Sequence, residues 1–150
     1  MAYATIGVDV TRVDATLQHT LGQKWVNEDT GNVYRYCQAG GAIPADTPCS
    51  VAAGWQSVVS GNAGIIDGVS PASAVADNEY FWLQTEGVHA DANVNVATTL
   101  GMLLALVADA NGDFTAVDND SVTDGLGHVR AKALEADTAG LADVLLYSHL

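Results

Sequence analysis

Apolar and polar residues alternate over short stretches of this chain, and turn-forming residues separate those stretches at close intervals. Pairs such as Gly40-Gly41, Asp67-Gly68 and Asp124-Gly125 recur along the sequence, and Gly, Asn and Asp favour tight turns. Such spacing leaves room for strands but little room for long helices. The pattern predicts an all-β fold, a small β-barrel or β-sandwich-like body with at most one or two short helices.

The strongest predicted strand is the aromatic stretch Tyr80–Thr85, because aromatic residues favour strands. Successive side chains of a strand point to opposite faces. One face would carry Phe81 and Leu83, and the other Tyr80 and Trp82. Both faces are therefore expected to be covered.

Three further features have the composition of strands and hairpins. They are a strand at Val33–Cys37, a hairpin of Leu103–Ala108 and Phe114–Val117 around Asn111-Gly112, and a closing pair at Val129–Ala136 and Val144–Tyr147.

The pattern of apolar and polar residues does not decide the structure of two segments. Val94–Ala108 is rich in good helix formers, so a helix is an alternative there, although Gly101 weakens it. Residues 1–20 are polar with apolar residues at no regular period, which predicts an extended N-terminal arm that orders against a partner. Residues 21–150 are expected to form a single β-rich body.

Charge narrows the classes of partner. The chain has 5 Lys and Arg against 18 Asp and Glu, for a net charge of −13. Phosphate backbones and anionic membranes attract clustered cations, so neither nucleic acid nor membrane is an expected partner. The start has no basic and apolar leader pattern, and the apolar run Met102–Ala108 is too short to span a bilayer. We expect synthesis in the cytoplasm, with the protein kept there or carried into a particle assembled there.

Motifs for catalysis are missing. The sequence contains no Gly-x-Ser-x-Gly elbow, P-loop or dinucleotide fingerprint, so we expect no enzyme, no catalytic residues and no cofactor, although a carboxylate pair of the glycosidase type stays open. Asp109–Asp113 starts like a calcium loop, but Phe114 and Asp120 stand where Gly and Glu are required. A hairpin turn is favoured, with a loosely held structural calcium at Asp118, Asn119, Asp120 and Asp124 as a minor alternative.

The cysteines and histidines have no zinc-site spacing, so no metal is expected. Cys37 and Cys49 are predicted to be small buried thiols, with a disulfide as the alternative. His89 lies between the carboxylates of Glu86 and Asp91 and is predicted to be a solvated loop residue.

Aromatic residues are the candidates for contact with a partner protein, because large rings dominate interfaces and cores alike. The set is Trp25, Tyr34, Tyr36, Trp55 and Trp82. An alternative is a carbohydrate-binding module in which Trp25, Trp55 or Trp82 forms the sugar platform.

The order of short motifs over residues 21–150 resembles the head-decoration or capsid-cement proteins of bacteriophages. The Gly-x-x-Tyr strand is followed by an Ala-Ile turn, and then by an aromatic strand with a Trp-x-Gln element. The motifs are Leu21–Asn27, Gly31–Tyr36, Ala39-Gly40, Ala42-Ile43, Thr47–Cys49, Tyr80–Gln84 with Gly87, Gly101–Leu106, Asn111-Gly112, Gly127–Leu134 and Gly140–Leu146.

This resemblance implies a β-barrel body that assembles on the outer capsid surface, often as a homotrimer, and clamps neighbouring major capsid subunits. It implies a virion structural protein that stabilises the lattice. A tail, fibre or adaptor component is the alternative within the virion. High acidity would keep free copies apart, and the N-terminal arm could add a strand to a capsid subunit.

Overall fold

The computed structural model of the chain describes residues 7–60, 65–95, 98–105, 112–115 and 129–147. These residues form nine β-strands and no helix, which confirms the predicted all-β class. In chain order the strands are β1 (Lys24–Val26), β2 (Val33–Ala39), β3 (Pro48–Ala52), β4 (Gln56–Val59), β5 (Gly68–Val69), β6 (Tyr80–Asn93), β7 (Leu103–Ala105), β8 (Val129–Ala133) and β9 (Leu141–Leu146).

Five of these strands close into a small barrel. β2 pairs with β4 in parallel, and β3, β5 and β6 follow β4 in antiparallel pairs. β6 then returns to β2, with a register that runs from Val33 opposite Glu86 to Gln38 opposite Tyr80. Closing the ring removes the free sheet edges that would otherwise invite aggregation.

The barrel interior follows from the alternation of side chains along β2 and β6. Cys37 and Ala39 of β2 meet Phe81 and Leu83 of β6 there, and all four are fully buried. The neighbouring residues of the same strands point outward. The alternation predicted for Tyr80–Thr85 is therefore confirmed, with both faces of the strand covered.

The long strand β6 belongs to two sheets. Its first half closes the barrel, and its second half pairs with β9, beyond which lie β8 and β7. A register shift between His89 and Ala92, with Asp91 at φ 54°, marks a bulge in the second half, and bulges increase the bend and twist of a strand. A second core, including Leu104, Phe114 and Val144, fills the inner face of this sheet.

Arg130 of β8 ties the second sheet to the barrel. Its Nη2 donates hydrogen bonds to the carbonyl oxygens of Thr85, at 2.6 Å, and Asp67, at 2.7 Å. Burial lowers the pKa of Arg130 to about 10, so the side chain is still a cation at neutral pH. Replacing Arg130 by a neutral residue would destabilise the fold, because the carbonyl oxygens of Thr85 and Asp67 would lose their hydrogen-bond donor.

The observed strands also test the other elements that the sequence predicts. The pair predicted at Val129–Ala136 and Val144–Tyr147 is confirmed as β8 and β9. The predicted hairpin is present in part: the Ala105 N–H donates to Thr115 O at 2.8 Å, but β7 pairs with β8, and Asn111 lies outside the described residues. The described part of Val94–Ala108 holds β7 and no helix.

Candidate partner-binding surface

An aromatic cluster lies on the outer face of the barrel. Tyr36 of β2 and Trp82 of β6 are cross-strand neighbours with ring centroids 5.0 Å apart. Tyr34 belongs to the same cluster, and Tyr80 stacks on Tyr36 at 6.2 Å. Alternation along β2 and β6 puts these rings on the face opposite the barrel interior.

Residues 7–22, called the N-terminal segment, lie across this cluster. Asp14 exchanges two backbone hydrogen bonds of 2.8 Å with Tyr80, and its Oδ2 accepts a hydrogen bond of 3.2 Å from the Tyr36 hydroxyl. The ring of His19 lies 5.0 Å from that of Tyr36 and 5.1 Å from that of Trp82. Burial raises the pKa of Tyr36 to about 12, so its hydroxyl keeps its proton and can donate to Asp14. The N-terminal segment therefore has partners within its own chain.

The five aromatic residues predicted to contact a partner have different surroundings. Tyr34, Tyr36 and Trp82 are 9%, 0% and 2% exposed, because the N-terminal segment and neighbouring side chains cover them. Trp25 and Trp55 are half-buried. Contact of these residues with a partner stays a prediction, and Trp25 and Trp55 are the two that offer surface in the folded chain.

Trp55 lies at the tip of the β3–β4 hairpin in an unusual conformation. Its φ of 63° is in the left-handed region, which a bulky side chain rarely adopts. The indole packs directly against Gly22, and the Arg35 guanidinium lies 5.5 Å from the ring centroid, close enough for a cation–π contact. Beside it is an open cavity of about 370 Å³, whose lining includes Val51 and Asp67.

Trp25 lies between two further cavities, of about 520 Å³ and 420 Å³, which share Gly7, Val8 and Trp25 in their linings. The first is bounded by the loop after β1 and the second by the N-terminal segment and Trp82. We call the two together the Trp25 groove. Trp25 and Trp82 thus line one cavity, while Trp55 lines a different one.

His89 is not the solvated loop residue that the sequence predicts. It lies within β6 and is 8% exposed. Its Nδ1 is 2.9 Å from Gln84 Oε1, and its Nε2 is 3.1 Å from Asp46 Oδ1. The prediction was wrong because the strand continues through Gly87 and Asp91 with a bulge instead of turning. The sequence around His89 carries no signal for Asp46, which is 43 residues away.

Cys37 and Cys49 are free thiols, fully buried in the barrel core, as predicted. Burial raises the pKa of both thiols to about 12, so neither is a thiolate nucleophile at neutral pH.

Among the described residues, no group of His, Cys, Asp and Glu could hold a metal ion. The residues named for a loosely held calcium, Asp118, Asn119, Asp120 and Asp124, lie outside the described part of the chain. The described part of the chain also has no helix with the length and apolar character needed to cross a bilayer.

The chain can also be compared with known proteins. No family model matches it, and no curated protein sequence does. Among solved structures it is similar to the head fiber gp8.5 N base of bacteriophage phi29, with a TM-score of 0.55 and 16% sequence identity. The similarity covers 77% of this chain and 94% of that one. At this identity the likeness is one of fold.

Proposed function

We propose that this chain is a structural protein of a phage virion that binds the outer surface of the head. The observation that carries the proposal is the fold shared with nearly the whole of a head fibre base, 94% of that chain. Fold alone does not determine function. The motif order that resembles decoration proteins is a second, separate line of support.

The physical properties of the chain suit this role. A capsid-bound protein needs a rigid body and a surface for protein contacts, and no catalytic site. The closed barrel and the strand β6, which is common to both sheets, supply rigidity. The net charge of −13 disfavours direct binding to packaged nucleic acid. The proposed partner is therefore the major capsid protein. The chain binds it in the host cytoplasm, where the virion assembles.

Within this role we favour decoration: the protein clamps neighbouring capsid subunits, as a trimer, and stabilises their lattice. A second candidate is the base of a head fibre, because the solved structure that this chain resembles is a head fiber base. Cryo-electron microscopy of the particle distinguishes them. A decoration protein ends at its compact body and touches more than one capsid subunit, whereas density for a fibre continues outward from that body.

Addition of the purified chain to heads that lack it tests the proposal. Bound protein should appear on the outer head surface and raise the temperature at which the heads fall apart. Location on the tail or baseplate, or no binding to heads at all, would overturn the proposal. Density with threefold symmetry at each bound site is the expected sign of a trimer.

A further inference from the structure

The Trp25 groove lies beside an open strand edge. Among the described residues β1 pairs only with β2, so no described strand lies beside its other edge. Val26, at this edge, is 43% exposed. An extended peptide could lie along such an edge and form main-chain hydrogen bonds with it. Trp25 and Val26 offer it an apolar floor.

Among the charged residues of the groove lining, carboxylates outnumber cations. Asp9, Glu28 and Asp29 are exposed carboxylates along it. Hydrogen bonds from the hydroxyl and the N–H of Thr11 hold the pKa of Asp9 below its usual value, so this group stays anionic. The cation in the lining is Arg12, whose Nε is 2.6 Å from Asp14 Oδ1.

Asp14 adds a buried carboxylate to the groove lining. Its side chain is 5% exposed and lines the groove. Oδ2 accepts the hydrogen bond from Tyr36, but Oδ1 accepts none. Arg12 Nε is close to Oδ1, but the contact is one of charge and lacks hydrogen-bond geometry. The negative charge of Asp14 is therefore already paired with Arg12, and the exposed carboxylates of the lining are the ones that can attract a cation.

From these features we propose that the Trp25 groove binds an extended segment of another protein that carries lysine or arginine side chains. The long stems of Lys and Arg can lie on Trp25 while their charged ends reach the carboxylates. A cation over the face of a tryptophan gains a further attraction.

A second copy of this chain does not fit as the occupant. The whole sequence has five cations, and three of them already serve the fold. Arg130 is buried, Arg35 stacks on Trp55, and Arg12 lies against Asp14. The two that remain, Lys24 and Lys132, lie on different strands and form no basic segment. The occupant must come from a different protein, and its identification as a capsid subunit rests on the proposed function.

Calorimetric titration of the intact chain with a blocked nonapeptide of alternating lysine and valine tests the groove directly. The matched probe carries glutamate in place of each lysine. The lysine peptide should bind, more weakly as NaCl is raised, and the glutamate peptide should not. The double variant Glu28→Gln/Asp29→Asn should bind the lysine peptide about fivefold more weakly, because it removes two exposed attractive charges.

The control variant is Asp77→Asn/Asp91→Asn, which loses the same charge at exposed positions outside the groove lining. Its affinity should stay within about twofold of the original chain, since distant surface charges are screened. Trp25→Phe, with its melting temperature checked, should also weaken binding through its smaller ring face. The inference is overturned if the lysine peptide does not bind, if both peptides bind equally, or if the control loses as much affinity as the groove variant.

Failure of the proposed function has a different outcome. A chain that binds the lysine peptide through the groove but does not bind heads would keep the groove and reject the capsid. A chain that binds heads equally well with and without Glu28→Gln/Asp29→Asn, and does not bind the peptide, would keep the capsid and reject the groove.

Discussion

At the scale of single residues, Gly22 shows how one position can depend on a distant one. Its φ is +79°, and a Cβ there would overlap the indole ring of Trp55. Gly22→Ala should therefore lower the free energy of unfolding by about 2–4 kcal/mol, from backbone strain together with overpacking. Urea unfolding measures this loss.

Gly31→Ala is the matched control for that substitution. Gly31 also has a positive φ, +75°, but nothing lies within 4 Å of the position of its Cβ. Its loss should be about 1 kcal/mol, the cost of the left-handed conformation alone. Equal losses for the two variants would show that the ring of Trp55 does not press on Gly22.

The buried thiols give a prediction for alkaline pH. The pKa of Cys37 and of Cys49 is about 12 in the folded chain against an ordinary 9.0, so the folded state keeps protons that the unfolded chain releases. Stability is fully present below pH 9 and falls as pH rises from 9 toward 12, by up to about 1.4 kcal/mol per pH unit for each thiol. Urea midpoints across this range should show the decline.

Cys37→Ala/Cys49→Ala isolates the thiol contribution between pH 9 and 10, below the range in which Tyr36, with its ordinary value of 10.0, adds a similar effect. The variant should be less stable than the original chain at pH 7, but its stability should fall less steeply with pH. A decline as steep as that of the original chain would assign the effect to other groups.

At the scale of elements, the N-terminal segment gives the clearest test. The sequence predicts that a chain without residues 2–20 keeps its body folded. The structure places much of that stretch over Tyr36 and Trp82 and bonds it to Tyr80. We now expect the deletion to lower the melting temperature by at least about 5 °C, because it exposes this aromatic surface.

A chain that lacks only residues 2–6 is the control, since it keeps the N-terminal segment. The difference in melting temperature between the two deletions then gives the contribution of residues 7–20 alone. If the longer deletion leaves the melting temperature unchanged, the segment is an arm, as the sequence predicts, and its contacts contribute little to stability.

The strands themselves differ in how far the sequence predicts them. Val33–Cys37 and Tyr80–Thr85 were predictable because alternation and aromatic content are local properties. The continuation of β6 through Gly87 and Asp91 was not, since both residues favour turns. In the fold they take positive φ values of 94° and 54° within the strand, and the Asn32 side chain bonds the N–H and the carbonyl of Val88.

The strand pairing that closes the barrel and the burial of the candidate aromatic residues were harder to predict from the sequence. β2 pairs with β6 and, in parallel, with β4. The apolar pattern of a strand indicates which face is buried but does not indicate which other strand it pairs with. Aromatic residues were sound candidates for packing surfaces, but the sequence does not separate Tyr36, which is covered, from Trp25, which is half-buried. That difference arises from the path of the N-terminal segment.

At the scale of the whole molecule, charge sets the conditions for assembly. A net charge of −13 makes free copies repel one another, so the proposed trimer must form against that repulsion. Salt shortens the range of such forces, from about 10 Å at 0.1 M to about 3 Å at 1 M. Sedimentation velocity of the chain alone should therefore show stronger self-association as NaCl is raised.

The Trp25 groove should respond to salt in the opposite direction, because its proposed contact is an attraction between unlike charges. One salt series with two measurements, self-association and lysine-peptide affinity, thus separates the two kinds of contact. If salt weakened both self-association and peptide binding, ion pairs would have to join the copies. We do not expect this, because three of the five cations of each chain are already engaged within its own fold. Opposite slopes would mean that copies meet through neutral surface, whereas a basic partner meets the acidic groove.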